Sequence, residues 1–421
     1  MAAPGNKYFI QDKLSRTATH HASFEALWET KWKAPCKAGV YPFMYGTLKD
    51  FEPVVRKMVA SGLKPPYDWD VYAENFLITG DDLVASAQKA EVSGRKEEAS
   101  ELYMRASALY RIGRFPLPRS DSQRVAWKKG KEAALKGLSM QEYPMTEVLI
   151  PHVEHAADGD GDVLPGYYHL PSHASPHAKV PLVIIFTGLD GYRTELCVWK
   201  DGWASLGVAL LVVEIPGTGD NPGAAADPAS PDRVWSSLFD WVRQQEGIDD
   251  RNVANFGVST GGYYSIRVAH THADNLKGVV ALGGGCHHMF DPEWLDAAND
   301  MEYPFDLSRT LCHKFGYGED FELFQKEARS KFSLLDTGIL SKPGCTRLLL
   351  VNGTEDEIFP IDDYYVCLKH GDPKEARLVE GVKHMGEPES FAIVLKWLFK
   401  LLGVDGDVGK FLSTIPFKPK Y

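Results

Sequence analysis

Gly257-Val258-Ser259-Thr260-Gly261-Gly262 is the stretch on which the reading of this chain turns. The apolar run Val253–Phe256 ahead of it predicts a strand, and Tyr263–His270 behind it predicts a helix. A serine set among small residues at a strand-to-helix turn is the pattern of a nucleophile elbow, where a strained turn lifts the Oγ clear of the sheet. The small neighbours let strand and helix approach closely. In a chain with 38 glycines the GxSxG string alone says little. Its strand–turn–helix setting gives it weight.

Outward from the elbow, the sequence after Ser139 is a series of short apolar runs separated by Gly, Pro and Asp. Strands are predicted at Met145–Ile150, Gly166–Leu170, Pro181–Phe186, Val208–Glu214, Val253–Phe256, Gly278–Leu282, Arg347–Val351 and Ala376–Val379. Several are continuous rather than alternating, as in parallel strands buried on both faces. From the third strand on, helical segments lie between them: Thr194–Leu206, Pro231–Gln245, Thr260–His272, Ile361–Lys369 and Pro388–Leu402. That alternation predicts an α/β domain with a mainly parallel eight-stranded sheet. The first two runs lack a helix between them and should form an antiparallel edge. The connection from Leu282 to Arg347 is far longer than such loops usually are, and its middle, Phe290–Lys342, is aromatic, acidic and partly helical. At the carboxyl end of a parallel strand, such an insertion is placed to cover a ligand crevice.

Before Ser139 the periodicity is helical. Ala99, Leu102, Ala106 and Leu109 share one helix face, and with Leu83, Ala87 and Ala90 they predict a helical hairpin over Asp81–Arg111, broken at Ser93-Gly94. No second copy follows, which excludes a repeat array. The expected organisation is a helical domain over 1–140 and a catalytic domain over 141–421, with a cap insertion at 289–345. The basic stretch Arg124, Lys128, Lys129, Lys131 and Lys136 reads as a solvated helix face.

A serine hydroxyl needs a base oriented by an acid. With an elbow of this kind, acid and histidine follow the serine, each after a later strand. Past the seventh strand, Asn352-Gly353-Thr354-Glu355-Asp356-Glu357 offers three carboxylates. Asp356, three residues beyond the turn glycine and ahead of Ile358-Phe359-Pro360, is ranked above Glu355 and Glu357. Past the eighth strand, His384 sits in the loop Glu380–Gly386, and among 14 histidines it alone has this address. Its near-neutral pKa suits a group that takes the serine proton and returns it. Two backbone donors for an oxyanion are expected at Thr260, after the nucleophile, and at Leu189 in Thr187-Gly188-Leu189-Asp190-Gly191. Three elements in three matching loops make an α/β-hydrolase fold the expectation.

Composition narrows the partners. The net charge of −11 and the lack of a long basic run disfavour nucleic acid and anionic membranes. No apolar stretch approaches the length of a membrane helix, and MAAPGNKYFI at residues 1–10 has no leader pattern, so a cytoplasmic protein is expected. The six cysteines show no CxxC spacing and read as thiols. Ile215-Pro216-Gly217-Thr218-Gly219 lacks the ending of a phosphate loop and reads as a tight turn. His287-His288 with Asp291 lacks metal-ligand spacing, so neither metal nor cofactor is called for.

The helical N-terminal region, the loop at 187–191, the elbow at 257–262, Asp356 and His384 together resemble the α/β-hydrolases that carry an N-terminal helical lid. That group includes 2,6-dihydropseudooxynicotine hydrolase, a carbon–carbon bond-cleaving enzyme. Within it, the chain looks like the fungal yellowish-green pigment hydrolases of dihydroxynaphthalene melanin synthesis, from roughly residue 7 to 402. The resemblance implies shortening of a heptaketide naphthopyrone or an acylated polyhydroxynaphthalene to 1,3,6,8-tetrahydroxynaphthalene and an acyl acid such as acetoacetate. It implies Ser259 as nucleophile, Asp356 as acid and His384 as base, and is compatible with a homodimer and with endosomal vesicle association. A carboxylesterase or lactonase would use the same residues, and a non-catalytic binding module on this fold is a third reading.

Overall fold

The computed structural model describes residues 17–415; the stretch at 1–10 read for a leader lies outside the described residues. Eight strands form one sheet: β1 Thr146–Pro151, β2 Val163–His169, β3 Val180–Phe186, β4 Ala209–Val213, β5 Ile248–Val258, β6 Gly278–Leu282, β7 Leu348–Gly353 and β8 Glu375–Val379. Their order is β1-β2-β4-β3-β5-β6-β7-β8. β1 and β2 pair antiparallel, as does β2 with β4, and every later pairing is parallel. The predicted strands and the antiparallel edge are all present. β5 begins earlier than Val253, because its polar first half, Asp249-Asp250-Arg251, interrupts the apolar run; the register with β3 shifts there, between Val180 and Leu182.

The continuous apolar runs have their reason in the two cores. Along β3, Leu182, Ile184 and Phe186 face one apolar cluster, while Val183 and Ile185 face another on the opposite side. Phe186 stacks on Trp235 at 4.0 Å between ring centroids, which seats the helix Ser230–Arg243 against the sheet centre.

N-terminal to the sheet, the helices Trp69–Val92, Lys96–Arg114 and Asp121–Ser139 pack on one another. The first of these starts well before Asp81. Asp68 caps it, accepting from the amides of Asp70 and Val71 at 3.1 Å each. Its opening turns already bury Tyr72, Ala73 and Phe76 at helical spacing, ahead of the hairpin predicted from Asp81. The basic face of the third helix is spoken for by carboxylates: Lys129 pairs with Asp81 at 2.7 Å, Lys131 with Asp220 at 2.7 Å and Lys136 with Glu91 at 3.1 Å.

The long connection after β6 carries three helices, Pro292–Ala298, Leu307–Lys314 and Phe321–Phe332. It is clasped to the N-terminal region. The Ala18 amide donates to Asp300 O at 2.7 Å, and His20 Nε2–H to Tyr303 O at 2.8 Å. Burial pulls His20 down to about 4, so the ring is neutral and fixed as that donor. Phe305 sits edge-on to Trp32 at 5.5 Å and to Trp69 at 5.4 Å. Arg119 forks onto Asp306 at 3.0 and 3.2 Å.

All six cysteines are free thiols. Among the described residues, no helix is long and apolar enough to cross a membrane.

Candidate active site

Ser259 sits between β5 and the helix Thr260–Thr271 with φ 55° and ψ −122°, a left-handed conformation that costs a side-chain-bearing residue ~1–2 kcal/mol. The turn is held by two bonds of 2.7 Å each, Ser259 N to Leu282 O and Gly262 N to Ser259 O. The glycines are required by proximity. A Cβ on Gly257 would lie 2.1 Å from Ser265 Oγ and 2.3 Å from Gly261 O. One on Gly261 would lie 2.4 Å from the carbonyls of both Phe186 and Thr187. The elbow is thereby wedged against the end of β3.

His384 and Asp356 are brought to it from the loops after β8 and β7. Ser259 Oγ lies 2.8 Å from His384 Nε2, and His384 Nδ1 lies 2.8 Å from Asp356 Oδ2. With the ring proton on Nδ1, the imidazole donates to Asp356 and Nε2 accepts the serine hydroxyl. The Asp356 carboxylate is fully buried and satisfied. Its Oδ1 accepts the amides of Ile358 (2.6 Å) and Phe359 (3.1 Å), and its Oδ2 accepts Asn352 Nδ2–H (2.7 Å). Of the competing carboxylates, Glu357 is engaged by Lys383 at 2.8 Å.

Asn352, which the sequence did not single out, ties Asp356 to the loop of His384. Its Nδ2 holds Asp356 while its Oδ1 accepts the Met385 amide at 2.8 Å, next to His384. A second unforeseen group is Glu302, from the connection after β6. Its Oε1 accepts the His384 amide at 3.3 Å, and its Oε2 stands 3.5 Å from Lys383 Nζ. Burial and then the charge of Asp356 push the Glu302 carboxyl above its ordinary range. Burial lowers the His384 pKa, but the adjacent Asp356 charge and hydrogen bond, with Glu302, outweigh it, so the ring titrates above 6.5.

A histidine acting as general base works only when neutral, so in that role His384 would make kcat/KM rise with pH through a midpoint above 6.5. Glu302→Gln removes one of the negative charges that favour imidazolium, so this limb should move to lower pH. A profile measured on the variant that stays put or moves upward would show that the base does not feel Glu302.

Leu189 and Thr260 flank the serine and both are buried. Thr260 opens its helix, so its amide is among the first-turn donors left without an intrahelical acceptor. The loop 187–191 packs directly on the elbow: a Cβ on Gly188 would lie 3.4 Å from Ser259 Cβ. Ser259, His384, Leu189 and Thr260 all line one cavity of about 430 Å³. Its aromatic walls are Trp32 and Tyr41 from the N-terminal region, Phe115, Trp199, Tyr303 from the connection after β6, and Phe391. Trp32 ends a π-helical turn, Trp28–Trp32, a form of backbone that recurs at functional sites. Among the described residues, no cluster of three or more His, Cys, Asp or Glu is placed to hold a metal ion. His288 instead bonds Asp291 at 2.9 Å.

Several known proteins are similar to this chain. Esterase FrsA of Photobacterium profundum is 24% identical over 325 residues, 76% of this chain and 74% of that protein. Hydrolase LUC6 of a Fusarium species is 29% identical over 314 residues, 66% of this chain and 71% of that one. The match to the alpha/beta hydrolase xenA of Xenoacremonium sinensis is 29% identical and spans 44% of each chain. Among solved structures, the 2,6-dihydroxy-pseudo-oxynicotine hydrolase superposes with a TM-score of 0.61 at 17% identity, covering 89% of this chain and 96% of that one. This likeness establishes an α/β-hydrolase fold. The family model for FrsA-like esterases matches residues 79–398, well over half the chain, and the protein belongs to that family of α/β-hydrolases.

Proposed function

We propose that the protein is a serine hydrolase in which Ser259 is the nucleophile, His384 the general base and acid, and Asp356 the residue that orients the imidazole. The observation that carries this reading is the unbroken hydrogen-bond chain Ser259–His384–Asp356, whose first two members line an aromatic-walled cavity. The substrate class follows from the resemblance: an aromatic polyketide, cleaved at a carbon–carbon bond next to a ketone. The helical region, described from residue 17 to 140, and the insertion 289–345 serve as covers over the rest of the domain 141–421, and a cavity of this size and lining suits a flat polycyclic ligand.

The serine oxygen attacks the side-chain ketone while its proton passes to His384 Nε2. The amides of Leu189 and Thr260 hold the resulting oxyanion, the kind of contact worth ~3–4 kcal/mol per donor. Collapse breaks the carbon–carbon bond, and the departing ring carbon takes the proton from His384. A polyphenol can leave in this way because its ring spreads the developing negative charge. Water, deprotonated by His384, then attacks the acyl-enzyme, and the serine recovers its proton as the acid departs. Naphthopyrone plus one water gives tetrahydroxynaphthalene plus acetoacetate.

Membership in a family described as esterases favours a second reading, a carboxylesterase or lactonase using the same residues. The two separate in one experiment. Purified protein is incubated with the heptaketide naphthopyrone and, in parallel, with p-nitrophenyl esters, and products are followed by mass spectrometry and absorbance. Tetrahydroxynaphthalene with acetoacetate is the expected result. Rapid ester hydrolysis with untouched naphthopyrone would move the assignment to the esterase.

A further inference from the structure

The loop that supplies Leu189 receives little fixing from the sheet: Thr187 N bonds Val213 O at 3.1 Å, and Gly188 N bonds Gly191 O at 3.0 Å within the turn. Its tip, Asp190, is held from outside. Tyr41 OH donates to Asp190 Oδ1 at 2.7 Å, Tyr303 OH donates to Oδ2 at 2.7 Å, and Arg114 Nη1 donates to the Asp190 carbonyl at 2.6 Å. Two of these donors come from the N-terminal region and one from the connection after β6. We propose that Asp190 is a positioning residue that aims the Leu189 amide at the oxyanion only while both covering segments are seated on it.

Four features of the network support this. Asp190, Tyr303 and Arg114 are all buried, so a lost partner leaves a buried carboxylate short of a donor. The donors are themselves fixed: Arg114 pairs closely with buried Glu195, and Arg111 donates to Pro42 O at 2.9 Å and Met44 O at 2.8 Å, bracing the strand of chain that carries Tyr41. The two covers bind each other through the contacts of 18–21 with 300–303, so they seat together. Finally, a bare carboxylate one residue from the oxyanion donor would oppose the negative charge formed there. Two phenol donors and a guanidinium on the same residue offset that field. Filling the space alone would need only an apolar side chain.

The inference rests on Ser259 being the nucleophile, and the test keeps the two apart. Diisopropyl fluorophosphate reacts with a competent serine: the Ser259 oxygen bonds phosphorus, fluoride leaves, and the hydroxyl proton passes to His384. The phosphoryl oxygen needs the same two amides. Its rate constant is measured for the wild type, Asp190→Asn, Tyr41→Phe and Tyr303→Phe, beside the downfield proton resonance of the His384–Asp356 hydrogen bond. Asp190→Asn is expected to slow labelling by about 10- to 100-fold, the scale of a misplaced catalytic group. Each Tyr→Phe change, which keeps the shape of its site, should slow it several-fold, with the downfield resonance unchanged throughout. Labelling of the variants at the wild-type rate would overturn the proposal. So would joint loss of labelling and resonance in the Tyr→Phe proteins, which marks a general structural role. A wild type that is not labelled at Ser259 would instead refute the nucleophile, and this inference with it.

Discussion

Ser259→Ala is expected to lower kcat on the true substrate by about 10⁵-fold or more, the scale seen when a serine nucleophile is removed from a hydrogen-bonded triad. The argument is geometric. Ser259 Oγ is the hydroxyl that His384 Nε2 meets, at 2.8 Å. Alanine keeps the Cβ and carries the same left-handed φ of 55°, so the backbone strain is unchanged. The bonds of Ser259 N to Leu282 O and of Gly262 N to Ser259 O are main-chain and survive. The melting temperature should therefore shift little and substrate should still bind; under the proposed function, the variant would hold the naphthopyrone without releasing tetrahydroxynaphthalene. Mass spectrometry of reaction mixtures against the wild type makes the comparison. Turnover within tenfold of the wild type would sink the serine mechanism for either carbon–carbon or ester cleavage.

The sheet was legible because its signals are local. A parallel strand buried on both faces writes itself as a continuous apolar run such as Pro181–Phe186, and an elbow writes itself as glycine where a Cβ would otherwise lie 2.1–2.4 Å from its neighbours. Asp356 and His384 could be proposed because each sits in a short loop directly after a strand. Other features are not local. Tyr41 and Tyr303 stand 149 and 113 positions from the Asp190 they hold, and neither lies in a string that marks it. Glu302 reaches His384 from a connection whose composition shows only that it is aromatic and acidic. Asn352 is closer to legibility: it precedes the turn glycine of the acid loop, and a buried amide there has both a carboxylate and a main-chain amide to serve. The early start of the helix at Trp69, by contrast, is written locally, in the helical spacing of Tyr72, Ala73 and Phe76 behind the capping Asp68.

Asp356→Asn should cost about 10⁴-fold in kcat, and the surroundings of that carboxylate say why an isosteric change is so damaging. Asp356 Oδ1 accepts two main-chain amides, from Ile358 at 2.6 Å and Phe359 at 3.1 Å. In the variant, the amide oxygen must take that place, because an NH₂ group there would face two donors. The NH₂ is then forced to the Oδ2 position, where it meets His384 Nδ1 and Asn352 Nδ2. To avoid a donor facing a donor, His384 must move its proton to Nε2, and that nitrogen can no longer accept from Ser259. The base is held in the wrong tautomer with its geometry nearly intact. Three readouts should change together: kcat falls, the downfield His384 proton resonance disappears, and the pKa that Asp356 holds above 6.5 drops. The loss should be more severe for carbon–carbon cleavage than for an activated ester. A carbon leaving group depends on proton delivery from His384, whereas p-nitrophenolate departs unaided. Activity of Asp356→Asn within tenfold of the wild type would refute Asp356 as the residue that orients the base.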